Sequence, residues 1–275
     1  MTCDVIIVED TISPAGKRIT TYQLRYWRAL HSELMTHRVF SRNASSSRAV
    51  PVSKTLAQVW KDPAGPIHWG KNQAGMQAYT QLEGWRLKLA RLLWKFSGRT
   101  ACGFAYAAFK LGGAKQWVNR LLEPWQYISV IVTATEFDNF FELRCHPDAQ
   151  PEFQELAVKM QTALEMSKPR KVTSNALRYA NWHLPYVSAK ERENFDIYDC
   201  VKFSAARCAR VSYLTHDGRT PKPEEDIKLF DRLVGSVPLH ASPIEHQAFV
   251  ASSTTTRSGN FLGWIQYRQT YTFKV

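Results

Sequence analysis

The sequence predicts a single α+β domain over residues 1–275. Three observations carry this. Helix-period segments outnumber strand-like ones, the two kinds do not alternate as a βαβ series, and no internal repeat or low-complexity tract divides the chain. The chain is 44% hydrophobic, enough to build a core, which excludes disordered, collagen-like and fibrous classes. No stretch approaches the ~18 uncharged apolar residues of a membrane span. At the amino terminus Asp4 precedes a four-residue apolar run and Glu9-Asp10 follow it, the pattern of a strand and not of a cleavable signal. The expected location is the cytoplasm, with no membrane partner.

Residues 4–8 form the first predicted strand, closed by a Ser-Pro-Ala-Gly-Lys turn, and the alternation from Ile19 to Tyr26 gives a second. Trp27, Leu30 and Leu34 are spaced for one helix face. Residues 39–51, rich in Ser, Asn and Arg, have no clean period and read as an ordered polar loop or a broken helix. Residues 51–80 read as loop, punctuated by Pro and Gly at 63–66 and by Gly70 and Gly75. From Met76 to Leu122 the pattern is mainly helical. There Trp85, Leu89, Leu92, Leu93 and Phe96 make an apolar stripe expected in the core, while Lys88, Arg91, Lys95 and Arg99 make a face expected in solvent.

Ile128, Val130 and Val132 mark a buried strand, and Glu136 to Arg144 suits a short helix. Pro151 can open the next helix, whose core face is Phe153, Leu156, Ala157, Met160 and Leu164. Residues 167–173, 188–195 and 215–225 are expected as exposed connections. A helix over Asp226–Val234, a strand over Glu245–Ala251, a Ser/Thr loop and a helix over Phe261–Gln269 complete the chain.

Thirty-six Lys+Arg against 24 Asp+Glu give a formal charge of +12, which favours a polyanionic partner: nucleic acid, a phosphorylated small molecule or an anionic surface. The five cysteines are scattered and never spaced as CxxC, so they are expected as free buried thiols. No HExxH occurs, and no metal is expected. Gly65 to Lys71 imitates a phosphate loop, GxxxxGK, but Asn72 replaces the Ser or Thr that would meet magnesium. Pro66 also removes an N–H from a loop whose purpose is to offer them. There is no GxGxxG. The densest polar segment is ELMTHRVFSRNASSSR, residues 33–48, where His37, Arg38, Arg42 and Arg48 accompany Asn43 and four serines. Arginine forks and hydroxyls are groups that hold phosphate oxygens, although a solvated basic loop has the same composition.

Thr36-His37-Arg38, seven residues, then Ser46 resembles the RHR-x7-S signature of flavin-dependent thymidylate synthases, the ThyX family, and Arg48 follows at the family's spacing. Leu143-Arg144 through Ala149-Gln150-Pro-Glu152 is similar to its LRxxxxAQxEI helix, with Asn139 five residues before the arginine. Ala206 to Tyr213 and His240 to His246 resemble its AARVS and HxTPFEH elements, and Asn119 to Pro124 its ARxxLP turn. The blocks stand in an unusual order, with the RVS and SPIEH elements last. Gly263 to Arg268 is similar to the family helix that leads into RHR. The resemblance therefore implies a circularly permuted, phage-type member, with the C-terminal helix packed near the helix before Thr36.

What the resemblance implies is a ThyX-like mixed sheet flanked by helices and reductive C5 methylation of dUMP to dTMP. Methylenetetrahydrofolate would supply carbon and FAD, reduced by NADPH, the hydride. None of the cysteines sits in the Pro-Cys-His context of the unrelated thymidylate synthase. By motif position His37, Arg38, Asn139, Ser212, His240 and Ser242 would contact flavin. Ser46, Ser47, Arg48, Arg120, Arg144 and Gln266 would hold the nucleotide, with Arg144 polarising the pyrimidine and Ser46 beside it. Family members are homotetramers with sites between subunits. Three departures stand out: Thr36 replaces the first Arg, Ala44 a Glu, and Asp148 a His. They fit dCMP as substrate, or hydroxymethylation, as well as dUMP methylation. A non-catalytic, basic nucleic-acid-binding protein on the same scaffold is the rival expectation.

Overall fold

The computed structural model describes residues 3–75, 77–173, 181–212 and 221–271, with only the backbone of Ser212. Met76, at the start of the expected long helix, Tyr213 and the 215–220 part of the expected connection lie outside the described residues.

The strands are β1 (Asp4–Ile12), β2 (Arg18–Trp27), β3 (Ser41–Ala44), β4 (Tyr127–Ala134), β5 (Arg170–Lys171), β6 (Trp182–His183), β7 (Ala248–Val250), β8 (Arg257–Ser258), β9 (Phe261–Leu262) and β10 (Trp264–Gln266). The main sheet runs β3-β4-β2-β1-β5, antiparallel except for the β1–β5 pair. A smaller sheet runs β10-β7-β6, and β8 pairs with β9. The helices are α1 (His31–Leu34), α2 (Val52–Lys61), α3 (Gly84–Lys110), α4 (Lys115–Val118), α5 (Asp138–Arg144), α6 (Pro151–Met166), α7 (Ala189–Asn194), α8 (Ile197–Ala209), α9 (Pro223–Val234) and α10 (Tyr267–Thr270). The expected α+β class holds.

Both faces of the main sheet are buried. Tyr22, Leu24, Tyr26, Val130 and Val132 face α5 and α6 and pack on Phe137, Phe140, Phe153 and Met160. Residues of the opposite parity, Ile19, Thr21 and Thr133, face the small sheet, as strand alternation requires. That second interface holds a hydrogen-bonded chain of neutral groups. Thr11 Oγ1 meets His183 Nδ1 (2.9 Å), His183 Nε2 meets Thr21 Oγ1 (2.8 Å), Thr21 meets Thr133 (2.7 Å), and Thr133 meets His246 Nδ1 (2.8 Å). Burial pushes both imidazoles down, His246 to about 3. A separate cluster joins α2, α3 and the 3-10 segment Asn119–Trp125 through Val52, Val59, Cys102, Ala105, Val118 and Leu122.

Several expectations are corrected. The polar segment at 41–44 is a strand, because pairing with β4 outweighs its low strand propensity. Residues 52–61 are a helix: Val52, Thr55 and Val59 recur on one buried face, a period hidden among polar neighbours. The long helix begins at Gly84, not at residue 76. Its large apolar stripe is exposed, not core: Trp85 is 69% and Phe96 67% accessible. Small residues make the contact instead, since a Cβ at Gly98 would already lie 3.1 Å from the Trp125 ring. Residues 170–171 pair with β1, and 189–194 form a helix opened by a Ser188–Glu191 capping box. The C-terminal helix is reduced to α10. Gly263, at φ +75°, sits where a side chain would strike Lys17, and strands flank it. Cys3, Cys102, Cys200 and Cys208 are free and buried, as expected, and Cys145 is free and half-buried.

The α8–α9 contact turns on Asp226, fully buried between Arg207 (2.8 Å) and Arg210. Removing one member strands buried charge, so Asp226→Ala is expected to cost about 3–5 kcal/mol in chemical denaturation. Asp4→Ala, which breaks the half-exposed Arg25 pair, should cost under about 1 kcal/mol.

Candidate functional site

The site residues gather along β3 and its flanks. Arg42 folds back to donate from Nη1 to the carbonyls of Leu34 (3.3 Å), Met35 (2.8 Å) and His37 (3.2 Å), satisfying the orphan acceptors where α1 ends. Thr36 Oγ1 donates to the Glu33 carbonyl (2.7 Å). These bonds turn the His37 ring inward, where it meets Phe140 edge-on at 4.9 Å and stacks beside Phe40. Arg144, the last residue of α5, donates from Nε to His37 Nε2 (3.1 Å) and from Nη1 to Glu33 Oε2 (3.0 Å), with its guanidinium 4.7 Å above the Phe153 ring. An accepting Nε2 places the His37 proton on Nδ1. Burial, then the nearby Arg144 and Arg42 cations, push His37 down to about 4.

Glu33 and Arg144 open onto a cleft of about 760 Å³, a size suited to a small-molecule ligand. Its walls include Trp27, His68, Tyr79 and Glu152. Glu152, at the start of α6, accepts from the Ile67 N–H (2.7 Å), the His68 N–H (3.3 Å) and Gln150 Nε2 (2.9 Å), which ties the 66–68 loop to α6. Tyr79 donates to Asp148 across the rim (3.3 Å).

Beyond β3, Ser45, Ser46 and Ser47 share a recess of about 230 Å³ with Arg25, Arg28 and Lys54. Asn119 Nδ2 holds this loop by donating to the Ser47 (2.8 Å) and Val50 (2.9 Å) carbonyls. Ser47 donates to Glu123 (2.7 Å), which also pairs with Arg28 (3.0 Å). A third group lies at the other end of β3. Gln266 is buried and donates to Ser41 Oγ and the Glu245 carbonyl (2.9 Å each), while Ser242 donates to Asn43 Oδ1 (3.3 Å).

The expected residues thus divide. His37 meets Arg144, Ser46 and Ser47 share a recess, and Ser242 and Gln266 reach β3. Arg38, Arg48, Arg120, Asn139 and His240 are exposed and join no group. The Ser212 side chain lies outside the described residues. The C-terminal segment meets the 33–48 block through Gln266 and Ser41, not by packing α10 on α1. In the segment that imitates a phosphate loop, Gly70 bridges to Gln81, and among the described residues the next helix after Lys71 is α3, from Gly84. Sequence reasoning missed Glu33, although it stands four residues before His37 in the motif segment. It also missed Arg25, Arg28 and Lys54, which no motif marks and only the fold brings to the serines.

No family model and no curated protein matches the chain. Among solved structures it is similar to the UMP/dUMP methylase PolB from Streptomyces cacaoi bound with 5-Br dUMP, at 16% identity over 59% of this chain and 89% of that one, TM-score 0.46. The same methylase bound with 5-Br UMP gives 16% identity over 59% and 88%, TM-score 0.46. Thymidylate Synthase X (ThyX) from Helicobacter pylori with FAD and dUMP gives 16% identity over 53% and 67%, TM-score 0.36. Likeness at this level does not place the chain in a family.

The depressed His37 and His31 values, each about 4, give a pH signature. A neutral native imidazole binds no proton where the unfolded one, near 6.5, does, so this stability is complete above pH 6.5 and is lost as pH falls toward 4. The slope is at most about 1.4 kcal/mol per pH unit per histidine. Side-chain NMR should show the His37 ring neutral at pH 5.5; a midpoint near 6.5 would refute the buried arrangement.

Proposed function

We propose that the chain is a flavin-dependent C5 methylase of a pyrimidine deoxynucleotide monophosphate, with dUMP to dTMP as the reaction, methylenetetrahydrofolate as carbon donor and NADPH to reduce FAD. One observation carries this. Blocks far apart in sequence, which the motif resemblance groups, converge on one sheet edge: His37 with Arg144, Asn43 with Ser242, and Ser41 with Gln266. The last two contacts also support a permuted, phage-type order, because both join the C-terminal blocks to the 33–48 block.

In this reading Arg144 is the catalytic cation. A fixed guanidinium beside the pyrimidine carbonyl stabilises negative charge as it develops on the ring, and does so without moving. His37, neutral and buried, helps to hold that guanidinium. Ser46 and Ser47 receive the phosphate side in the serine recess, where Arg28 and Lys54 add positive charge, while Arg48 and Arg120, which the resemblance assigns to the phosphate, stand on the surface of one chain. The flavin fit within one chain is incomplete. His37 is turned to Arg144, and Arg38, Asn139 and His240 stand on the surface instead of closing a cradle. In this reading a second copy completes the site, as in the homotetramer that the resemblance implies. Neither a membrane partner nor a location outside the cytoplasm is part of the reading.

Two measurements test it. The purified protein should be yellow or take up added FAD, and it should release tritium from 5-labelled dUMP when NADPH and methylenetetrahydrofolate are supplied. Protein that takes up no FAD overturns the reading; flavin uptake with turnover of dCMP in place of dUMP would redirect it. Arg144→Ala should retain the fold and lower kcat by about 10²–10³-fold, the usual loss for one donor to a developing charge.

A further inference from the structure

A cation that acts on a transition state must be in place before charge develops, yet an arginine side chain has many rotamers. Three contacts hold Arg144: the neutral His37 ring, the Phe153 face and the Glu33 carboxylate. Among the described residues Glu33 is its ion-pair partner, at 3.0 Å, and the Nη2 N–H groups have none. Glu33 is itself held from below. The Thr36 hydroxyl and N–H both bond the Glu33 carbonyl (2.7 and 3.1 Å), and Arg42 fastens the carbonyls of the next turn. Thr36, a departure from the motif, thereby gains a physical role.

We infer that Glu33 is a positioning residue: it fixes the Arg144 guanidinium at the cleft and acts on the reaction only through it. The inference rests on the role proposed for Arg144. A side chain that merely receives Nη1–H can be replaced by an amide, whereas one that transfers a proton cannot, and this separates positioning from chemistry. Glu33→Ala is expected to lower kcat by about 10²-fold, close to Arg144→Ala, with the nucleotide KM changed much less. Glu33→Gln, which keeps an acceptor of the same reach, should recover most of that loss. If Glu33→Gln is as poor as Glu33→Ala, the positioning role is overturned.

A second readout needs no turnover. The charged groups facing His37 are Arg144 from α5, Arg42 from β3 and, through Arg144, Glu33 from α1. Deleting a carboxylate would by itself lower the His37 midpoint, whereas releasing Arg144 raises it. His37 NMR titration of Glu33→Ala should therefore move upward, as in Arg144→Ala, and Glu33→Gln should not. A midpoint unchanged or lowered in Glu33→Ala refutes the inference. An upward shift in Glu33→Ala, together with wild-type protein that takes up no FAD, would overturn the methylase reading and leave the geometry standing.

Discussion

The pairing of β3 with β4 is the constraint on which the candidate site depends. Four residue pairs, Ser41↔Thr133 to Ala44↔Val130, fasten a polar segment to the edge of a sheet buried on both faces. Because β3 is an edge strand, its outer rim needs no further strand and polar side chains are tolerated there. The chain before β3 must enter from α1, which swings His37 into the Phe40–Phe140 cluster. The chain after it must leave toward α2, which lays Ser45–Ser47 beside Arg25 and Arg28. Along the strand, Ser41 and Asn43 receive Gln266 and Ser242. One short ladder thus sets the positions of three polar groups that have few direct contacts with one another.

Two electrostatic strategies coexist around that edge. Beneath the main sheet, polar groups are buried without charge: the Thr11–His183–Thr21–Thr133–His246 chain is made of hydroxyls and neutral imidazoles, each satisfied by its neighbour apart from His246 Nε2. Such a chain joins two sheets without the desolvation cost of ions. At α8–α9, by contrast, Arg207 and Arg210 surround a fully buried Asp226. The cleft lies between these extremes. Arg144 is charged and partly exposed, while the His37 beside it is kept neutral by burial and by that same cation.

How much of this was legible depended on whether the signal was periodic. β2 alternates over Tyr22–Tyr26, β4 is a short run of apolar, mostly β-branched residues and α6 opens on Pro151, so their positions follow from sequence alone. The His37–Arg144 contact was accessible only as two motif blocks, 107 residues apart, and nothing in either block states that a bond joins them. Glu33 lies inside the 33–48 segment, but nothing in the motif spacing singles out a glutamate four residues before His37. β3 was unreadable for a different reason: its strand character comes from β4, not from Ser-Arg-Asn-Ala itself. α3 failed in the opposite sense. Large apolar residues at helical spacing look like core, but close packing against Trp125 selected Gly98, Cys102 and Ala105 for the buried face.

That reversal bears on the meaning of the net charge. Residues 84–118 carry seven Lys and Arg and no Asp or Glu, more than half of the excess of +12. Three guanidiniums around the candidate site are paired with carboxylates instead: Arg144 with Glu33, Arg28 with Glu123, and Arg25 with Asp4. A site meant to discriminate among anionic ligands gains from such balance, because a carboxylate beside each guanidinium fixes its direction and offsets the field that would attract any anion. Bulk charge and site chemistry are therefore separate properties of this chain. The first belongs to α3 and its surroundings, and the second to the sheet edge that β3 defines.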